Sequence, residues 1–406
     1  MNNRRSFITR ALSAAGFATA AATAQEHQHH HPASTTPAGP FVPTDTPDVP
    51  KLPFTLKDGV KEFVLTAEVV EWEIMPGRTI TGWGYNGSVP GPTIEAVEGD
   101  RVRIIFENKL PEPTAVHWHG LEVSMEQDGV PGLGMDPVLP GQTHVYDFTL
   151  HQHGTFFYHS HAAMQEMMGS IGFFILHPKT AHTPRCDRDF GLVLQEWAVL
   201  PNNTVPNTMA MEFNWLTLNG RTGPDCTPMI VKQGERVRIR MINMGMDHHP
   251  MHLHGNTFVT TGTEGGRMPE ATWCPGNTVL VGVAQARDVE FDAKFLGDWM
   301  LHCHLPHHMM NNMVSMVGPL EHHLHGAAPD AKNVKGFPQD MWMVMDELID
   351  KPENHGLRKT WTGAMMGMMT LVRVVTPETY DQIQELKKTW KPRRKNAPGA
   401  HQHHNL

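Results

Sequence analysis

The amino-acid sequence predicts an all-β protein made of two antiparallel β-sandwich domains. Short apolar runs alternate with clusters of Gly, Pro, Asn and Asp, which is the pattern of strands joined by turns. Helical periodicity is scarce outside residues 340–350 and 377–390. A segment near residue 99 recurs near residue 234, which indicates one domain present twice. The runs that predict strands are 101–106, 145–150, 172–176, 192–196, 236–242, 279–283 and 289–291.

The first 24 residues have the features of an export signal. Arg4-Arg5 forms a twin-arginine pattern, a small apolar run follows, and Ala22-Thr23-Ala24 fits a cleavage site. The apolar run is too short to remain as a membrane anchor, and no later run is long enough to span a bilayer. We therefore expect residues 1–24 to be a twin-arginine signal peptide and the mature protein to be periplasmic or secreted, without a membrane span.

The composition indicates how much of the chain is globular, whether it binds nucleic acid and what its cysteines can do. Residues 25–55 are rich in His, Pro, Thr and Ala and are expected to form a disordered lead-in. Without this segment and the His-rich tail 391–406, about 330 residues remain for two domains. The net charge of −9 gives no sign of nucleic-acid binding. Cys303 is a metal-ligand candidate among the four cysteines. One disulfide could form in an oxidising compartment, with the pair left open among Cys186, Cys226 and Cys274.

An internal repeat sets the domain boundaries. The segment that begins at Gly99 recurs at Gly234, and His-x-His-Gly follows each glycine eighteen residues later. His-Ser-His at 159–161 and His-Cys-His at 302–304 keep the same register. The repeat predicts domain 1 at 56–178 and domain 2 at 186–376.

Domain 2 carries an insertion relative to domain 1. Residues 365–374 resemble 167–176, which contain the closing strand of domain 1. Residues from about 314 to 362 would then be a Met-rich excursion that interrupts domain 2 before its own closing strand. Residues 377–406 are expected to form a helix and then a disordered tail.

The densest cluster of metal-binding side chains lies at 302–313, which holds four histidines, one cysteine and three methionines. A thiolate and two imidazoles with a weak axial thioether form a blue-copper electron-transfer site. Cys303 and His308 would supply two of these ligands, and Met313 has the spacing of the axial one, with Met368 as the alternative. In an extended segment, the side chains on either side of Cys303 point to the opposite face and could bind a second copper centre.

The histidine motifs at 117–120, 159–161, 249–255 and 302–313 resemble, in order, the copper signatures of the multicopper oxidases, which include laccases and copper-resistance oxidases. The resemblance implies two cupredoxin-like Greek-key domains and copper as the cofactor, with one type 1, one type 2 and two type 3 ions per chain. It assigns the type 1 ligands as His249, Cys303, His308 and Met313, the type 2 ligands as His117 and His252, and the type 3 ligands as His119, His159, His161, His254, His302 and His304.

Domain 1 lacks a blue-copper site of its own. Thr114, Ser160 and Gln165 stand in the repeat at the positions of the His249, Cys303 and His308 ligands. None of the three offers an imidazole or a thiolate, so electrons could be accepted in domain 2 alone.

The linker between the domains, from 178 to 186, is too short to hold a further domain. Two-domain members of the family place domain 1 of one subunit against domain 2 of the next. The resemblance therefore implies a homotrimer with clusters between subunits, and clusters within one chain remain the alternative if the linker folds back.

The resemblance implies that single electrons from a reducing substrate are used to reduce O2 to water. Cys303, His302 and His304 would carry the electrons. Asp128 lies nine residues beyond His119 and would supply protons, although a turn-forming Asp-Gly explains this residue equally well.

Two electron donors fit the sequence. A laccase-like enzyme would oxidise phenols in a pocket beside the type 1 ligands. The methionines at 309–316, 341–345 and 365–369 favour a cuprous oxidase, because thioethers bind Cu(I), but methionine is also an ordinary core residue. A non-enzymatic copper-sequestering protein would explain the His-rich and Met-rich segments but not the His-Cys-His strand.

Overall fold

The computed structural model describes residues 41–200, 203–311 and 344–391, and within these ranges the chain forms twenty-one strands and one α-helix. The predicted all-β class is confirmed. The sheets are mixed rather than purely antiparallel, because each sandwich contains strand pairs that run in parallel. The predicted signal peptide, Met313 and residues 392–406 lie outside the described residues.

Domain 1 is a sandwich of two sheets. Its strands are β1 (Phe54–Lys57), β2 (Val60–Met75), β3 (Arg78–Tyr85), β4 (Gly91–Val97), β5 (Arg101–Asn108), β6 (Val116–His119), β7 (Thr143–Thr149), β8 (Gly154–Ser160) and β9 (Ile171–His177). One sheet has the order β1-β2-β5-β7, with β3 paired to β2, and the other has the order β4-β9-β8-β6. β5 alternates fully buried side chains with more accessible ones, as expected for a sheet with one face in the core.

Domain 2 is built in the same way. Its strands are β10 (Arg188–Trp197), β11 (Trp215–Leu218), β12 (Met229–Lys232), β13 (Arg236–Asn243), β14 (His249–Leu253), β15 (Phe258–Thr263), β16 (Gly266–Arg267), β17 (Cys274–Gly276), β18 (Thr278–Val281), β19 (Gln285–Asp292), β20 (Gly297–Cys303) and β21 (Met369–Val375). One sheet has the order β11-β10-β13-β19-β15-β16, with β17 paired to β15. The other has the order β12-β21-β20-β14-β18.

The sheet that carries the histidines is repeated between the domains. His117 pairs with His159 across β6 and β8, and His252 pairs with His302 across β14 and β20. The closing strands β9 and β21 then pair with β8 and β20 in the same register. The closing strand of domain 2 therefore begins where the repeat places it.

Residues 41–53 were expected to be disordered, but they contact both domains. Asp45 forms a bridge to β10, and the Leu52 N–H donates to a carbonyl of β4. The Asp48 carboxylate accepts from the Thr227 hydroxyl at 2.6 Å. The average composition of 25–55 did not indicate these contacts, because the histidines near residue 30 dominate it.

An apolar layer and a buried charge network join the two domains. The apolar layer packs β8 and β9 of domain 1 against β10 and β13 of domain 2. Arg240 donates to Asp189 within domain 2 at 2.9 Å and to the Thr155 hydroxyl in β8 of domain 1 at 2.6 Å. Thr155 donates in turn to Asp288 at 2.6 Å. All four side chains are buried, so specific contacts fix the relative position of the domains.

The helix predicted at 377–390 is present as α1 (Pro377–Thr389), which begins after Thr376, whose hydroxyl accepts from the Thr379 N–H. The described part of 340–350 holds one short turn, Asp346–Leu348, instead of a helix. None of the described helices is long and apolar enough to cross a membrane. All four cysteines are free thiols, so no disulfide forms in this structure.

Candidate copper centres

Three predicted type 1 ligands, His249, Cys303 and His308, converge in domain 2. The Nδ1 atoms of the two histidines are 3.2 Å apart, and Cys303 Sγ lies 3.3 Å from His308 Nδ1 and 3.8 Å from His249 Nδ1. All three side chains are buried. Two imidazole nitrogens and a sulfur around one centre are the donors of a trigonal blue-copper site, so these residues fit copper.

Burial changes the pKa of two of these residues, His308 and Cys303. It lowers the pKa of His308 to about 3, so the imidazole is neutral at pH 7 and can bind a metal. It also raises the pKa of the Cys303 thiol to about 12. Binding of copper to this sulfur therefore displaces a proton.

Two carboxylates that the sequence analysis missed lie at the outer edges of the type 1 histidines. His249 Nε2 is 3.2 Å from Glu196 Oε2, and His308 Nε2 is 3.3 Å from Asp247 Oδ2. The other oxygen of Glu196 accepts from the backbone N–H groups of Met246 and Asp247. A carboxylate at this position orients a metal-binding histidine and raises its basicity. Asp247 could have been found from the sequence, because it lies two residues before His249. Glu196 reaches the site from β10, and no sequence feature indicates its role.

Met368, the alternative to Met313 as axial ligand, lies beside this site. It is fully buried in the same apolar cluster as Cys303. Other methionines of the closing segment, Met365 and Met369, pack in an apolar cluster with Leu371. That packing supports a core role for those two residues.

In domain 1, a hydrogen-bonded cluster occupies the place of the blue-copper site. The Thr114 and Ser160 hydroxyl oxygens are 3.0 Å apart, and Ser160 Oγ donates to Gln165 Oε1 at 2.7 Å. All three side chains are buried, and Gln165 Nε2 donates to the Pro113 carbonyl. These hard oxygen and amide groups satisfy one another and do not offer the donors that a blue-copper site needs.

Four histidines of domain 1 lie together. The ring centroid of His117 is 5.7, 5.3 and 5.4 Å from those of His119, His159 and His161. His117 Nδ1 and His159 Nδ1 each donate to a backbone carbonyl, at 2.7 and 2.8 Å. A carbonyl oxygen can only accept, so Nε2 of each ring keeps a lone pair for a metal.

Domain 2 holds a second group of the same form. The ring centroid of His252 is 4.8, 5.6 and 5.5 Å from those of His254, His302 and His304. His252 Nδ1 and His302 Nδ1 again donate to backbone carbonyls, both at 2.8 Å. His254 Nε2 and His302 Nε2 face each other at 3.0 Å, which is suitable for ligands that share a site.

The two histidine groups do not contact each other within the described part of one chain. Ring contacts join histidines inside each group, and among the described residues none joins His117, His119, His159 or His161 to a histidine of the second group. Each group is open to solvent, because His161 and His304 are exposed. Each domain therefore presents half of the set of eight histidines predicted for a three-copper cluster.

Asp128 lies beside His117. Its Oδ1 is 3.4 Å from His117 Nδ1, and its backbone carbonyl accepts from the same nitrogen. The next residue, Gly129, has a φ of +82°, and a Cβ there would lie 1.8 Å from the Val116 carbonyl oxygen. The Asp-Gly pair follows the turn Met125–Gln127, and glycine is required at 129 for the close approach to β6 that holds the carboxylate next to the histidine.

Comparisons with known proteins agree with these donor sets. Multicopper oxidase family models match residues 66–181 and 198–319. The chain belongs to the multicopper oxidase family. Membership implies copper, and the imidazole and thiol donors described above fit copper in their chemistry.

Three relatives illustrate the similarity. The chain is 35% identical over 164 residues to a copper resistance protein A homolog from Pseudomonas syringae pv. tomato, over 40% of this chain and 28% of that one. It is 32% identical over 257 residues to Laccase-2 from Botryotinia fuckeliana, over 56% of this chain and 43% of that one. It also resembles the blue copper oxidase from Nitrosomonas europaea, with 29% identity and a TM-score of 0.58, over 62% of this chain and 81% of that one. The chain thus spans less than half the length of these two curated relatives.

Proposed function

We propose that this protein couples the one-electron oxidation of a reducing substrate to the four-electron reduction of O2 to water. The observation that carries the proposal is the position of Cys303 between His302 and His304. Its sulfur faces His249 and His308, whereas the flanking histidines belong to the second histidine group. Side chains alternate along this strand, so one residue connects two donor sets.

Bound copper would supply the redox chemistry, as a type 1 ion at His249, Cys303 and His308 and as a cluster of one type 2 and two type 3 ions between the histidine groups. His302 Nδ1 donates to the Cys303 carbonyl at 2.8 Å, which adds a hydrogen-bonded path to the covalent one between the two donor sets. Asp128 would hold a proton beside His117. We assign His117 and His252 to the type 2 ion and His119, His159, His161, His254, His302 and His304 to the type 3 ions.

We also propose that the working assembly is a closed homotrimer. The two histidine groups of one chain do not contact each other, and the buried Arg240–Thr155 bond opposes a rearrangement that would bring them together. A second copy can supply the missing half if domain 1 of one subunit faces domain 2 of the next. A head-to-tail contact of this kind gives a closed trimer when the rotation between neighbouring subunits is one third of a turn.

For the electron donor, we propose a laccase-like role with phenolic substrates, supported by the similarity to Laccase-2. A specific observation favours Cu(I) as a second candidate. The outer edge of the buried His308 is covered by the partly exposed Asp247, and His307 lies within reach of both. A donor that approaches His308 here meets a carboxylate and an imidazole, which attract a cation. The predicted twin-arginine signal supports a periplasmic or secreted location.

Oxygen uptake by the copper-loaded protein tests the proposal. We expect an intense blue absorption and O2 consumption with a phenol, with Cu(I), or with both. Cys303→Ser should remove the colour and lower uptake by several orders of magnitude. A blue protein that consumes no O2 with either donor would instead indicate electron transfer or copper sequestration.

Asp247→Asn separates the two donors. If Cu(I) binds at this edge, KM for Cu(I) should rise about tenfold, because one charged ligand is lost, while KM for a phenol changes little. Glu270→Gln removes another carboxylate from domain 2 and serves as the matched control. Equal effects of Asp247→Asn on the two donors would argue against a cation site here.

A further inference from the structure

The two ends of the excursion meet at the type 1 site. His308 and Met368 are sixty positions apart in the sequence, yet the Met368 N–H donates to the His308 carbonyl at 2.9 Å. The Cys303 N–H donates to the Met368 carbonyl at 3.0 Å. The backbone of Met368 is therefore bonded to the backbones of two type 1 ligands.

Domain 1 shows which position Met368 occupies. There the Ser170 N–H donates to the Gln165 carbonyl at 3.4 Å, and the Ser160 N–H donates to the Ser170 carbonyl at 3.1 Å. The two domains therefore share the same pair of backbone bonds. In the repeat, the domain 1 residues occupy the positions of His308 (Gln165), Cys303 (Ser160) and Met368 (Ser170). Gln165 and Ser170 are only five positions apart. The loop that is short and continuous in domain 1 is thus divided in domain 2 into two segments that are distant in sequence.

A buried asparagine joins the two segments. Asn311 Oδ1 accepts from the Gly367 N–H at 2.9 Å and from the Thr222 hydroxyl at 2.7 Å. Asn311 Nδ2 donates to the Gly223 carbonyl at 2.8 Å, and the Gly223 N–H donates to the Gly367 carbonyl at 2.8 Å. The carboxamide therefore holds the segment that leaves His308 against the segment that enters Met368.

Gly367 is required at the point of contact. Its φ is +67°, and a Cβ there would lie 2.1 Å from the His308 carbonyl oxygen and 2.7 Å from the Met310 nitrogen. Only glycine permits both the backbone conformation and this close approach.

We propose that Met368 supplies the axial thioether of the type 1 site and that Asn311 is the positioning residue that closes the interrupted ligand loop. The inference rests on the proposed type 1 site. Chain continuity keeps the equivalent positions of domain 1 in register, whereas the excursion increases the entropy that must be lost to bring His308 and Met368 together. The Asn311 bonds offset that loss.

The reduction potential of the type 1 copper tests the axial assignment, since the axial ligand tunes it. Met368→Leu keeps the side-chain volume and removes the thioether, so the potential should rise and the electron paramagnetic resonance parameters should change. Met368→Gln supplies a stronger donor and should lower the potential. Met313→Leu is the matched control and should change neither. A shift in Met313→Leu, or none in Met368→Leu, would overturn the assignment.

Two further pairs of variants test the closing contact. Asn311→Ala should speed the loss of type 1 copper to a chelator about tenfold or more relative to Asn354→Ala, which removes an asparagine of the excursion bonded elsewhere. Asn311→Asp keeps both acceptor bonds but places a charged oxygen against the Gly223 carbonyl, so copper loss should again be faster than in Asn354→Ala. Gly367→Ala should broaden the type 1 signals, whereas Gly356→Ala should not, because Gly356 has a φ of +81° but no atom within 4 Å of its Cβ position.

Unchanged type 1 spectra and copper release in Asn311→Ala would refute the positioning role. These readouts do not depend on O2 reduction. Blue variants that shift as expected but consume no O2 would contradict the proposed function and leave this inference intact. Absence of any blue copper in the unaltered protein would contradict both.

Discussion

Complementation between two inactive variants tests whether each cluster is shared between subunits. His161→Ala damages the histidine group of domain 1, and His304→Ala damages that of domain 2. Both side chains are exposed in the single chain, so their removal should leave the fold intact. Each variant alone should bind type 1 copper, because His249, Cys303 and His308 are untouched, and each should fail to reduce O2.

The expected recovery follows from the geometry of a closed ring. In a mixed trimer, one of the three interfaces pairs an intact domain 1 with an intact domain 2. Random assembly of equal amounts makes about three quarters of the trimers mixed, so about one quarter of the unaltered O2 consumption should return in the unfractionated mixture and about one third in purified mixed trimers. The intact domain 2 at that interface also keeps its own Cys303, so the restored cluster is connected to a type 1 site.

Co-expression of the two variants with different affinity tags, followed by tandem purification and measurement of O2 uptake, gives the result directly. Co-expression of His161→Ala with His119→Ala is the control, since both damage domain 1 and no interface can be complete. Failure of purified mixed trimers to consume O2 would refute a shared cluster. A monomer that is fully active would refute it as well.

Three other results are expected. Asp189→Asn should lower the free energy of unfolding by about 3–5 kcal/mol in urea titrations, because it leaves Arg238 and Arg240 buried without their shared partner. Burial would raise the pKa of Asp189, but the two arginines lower it below its usual value. The difference in unfolding free energy between the unaltered protein and Asp189→Asn should therefore be largest above about pH 4 and decrease at lower pH. Asp128→Asn should reduce turnover on the order of 100-fold without altering the blue absorption, and unchanged turnover would limit Asp128 to its turn. Removal of copper should lower Tm reversibly, since copper binds the folded chain, and scanning calorimetry before and after reloading checks this.

The repeat made much of the candidate site predictable from the sequence. It placed Thr114, Ser160 and Gln165 at the positions of three ligands, and the structure brings these residues together. It also aligned the closing strands across the excursion. These predictions succeeded because a strand ladder fixes register, so equal spacing in two copies leads to equal positions in space.

The contacts that support the ligands could not be predicted in this way. Glu196 reaches His249 from a different strand, and Asn311 bonds to Gly367 across the excursion. Glu196 lies outside the histidine motifs, and Asn311 lies within 302–313 but is not one of the predicted ligands. Both act through tertiary contacts between segments distant in sequence. The mean composition of residues 25–55 likewise did not reveal that 41–53 pack against both domains.

The comparison of the two domains separates the scaffold of the blue site from its metal chemistry. Ser160 and Cys303 each donate a backbone N–H to the carbonyl of the residue before the closing strand, although one lies in an oxygen-rich cluster and the other among sulfur and imidazole donors. The backbone arrangement is therefore the same with and without copper donors. Strands β14 and β20 and the turn Pro306–Met309 hold the Nδ1 and Sγ atoms of His249, His308 and Cys303 within 3.8 Å of one another. Ligands that the scaffold fixes in this way move little when electrons arrive or leave, which is the property that an electron-transfer centre needs.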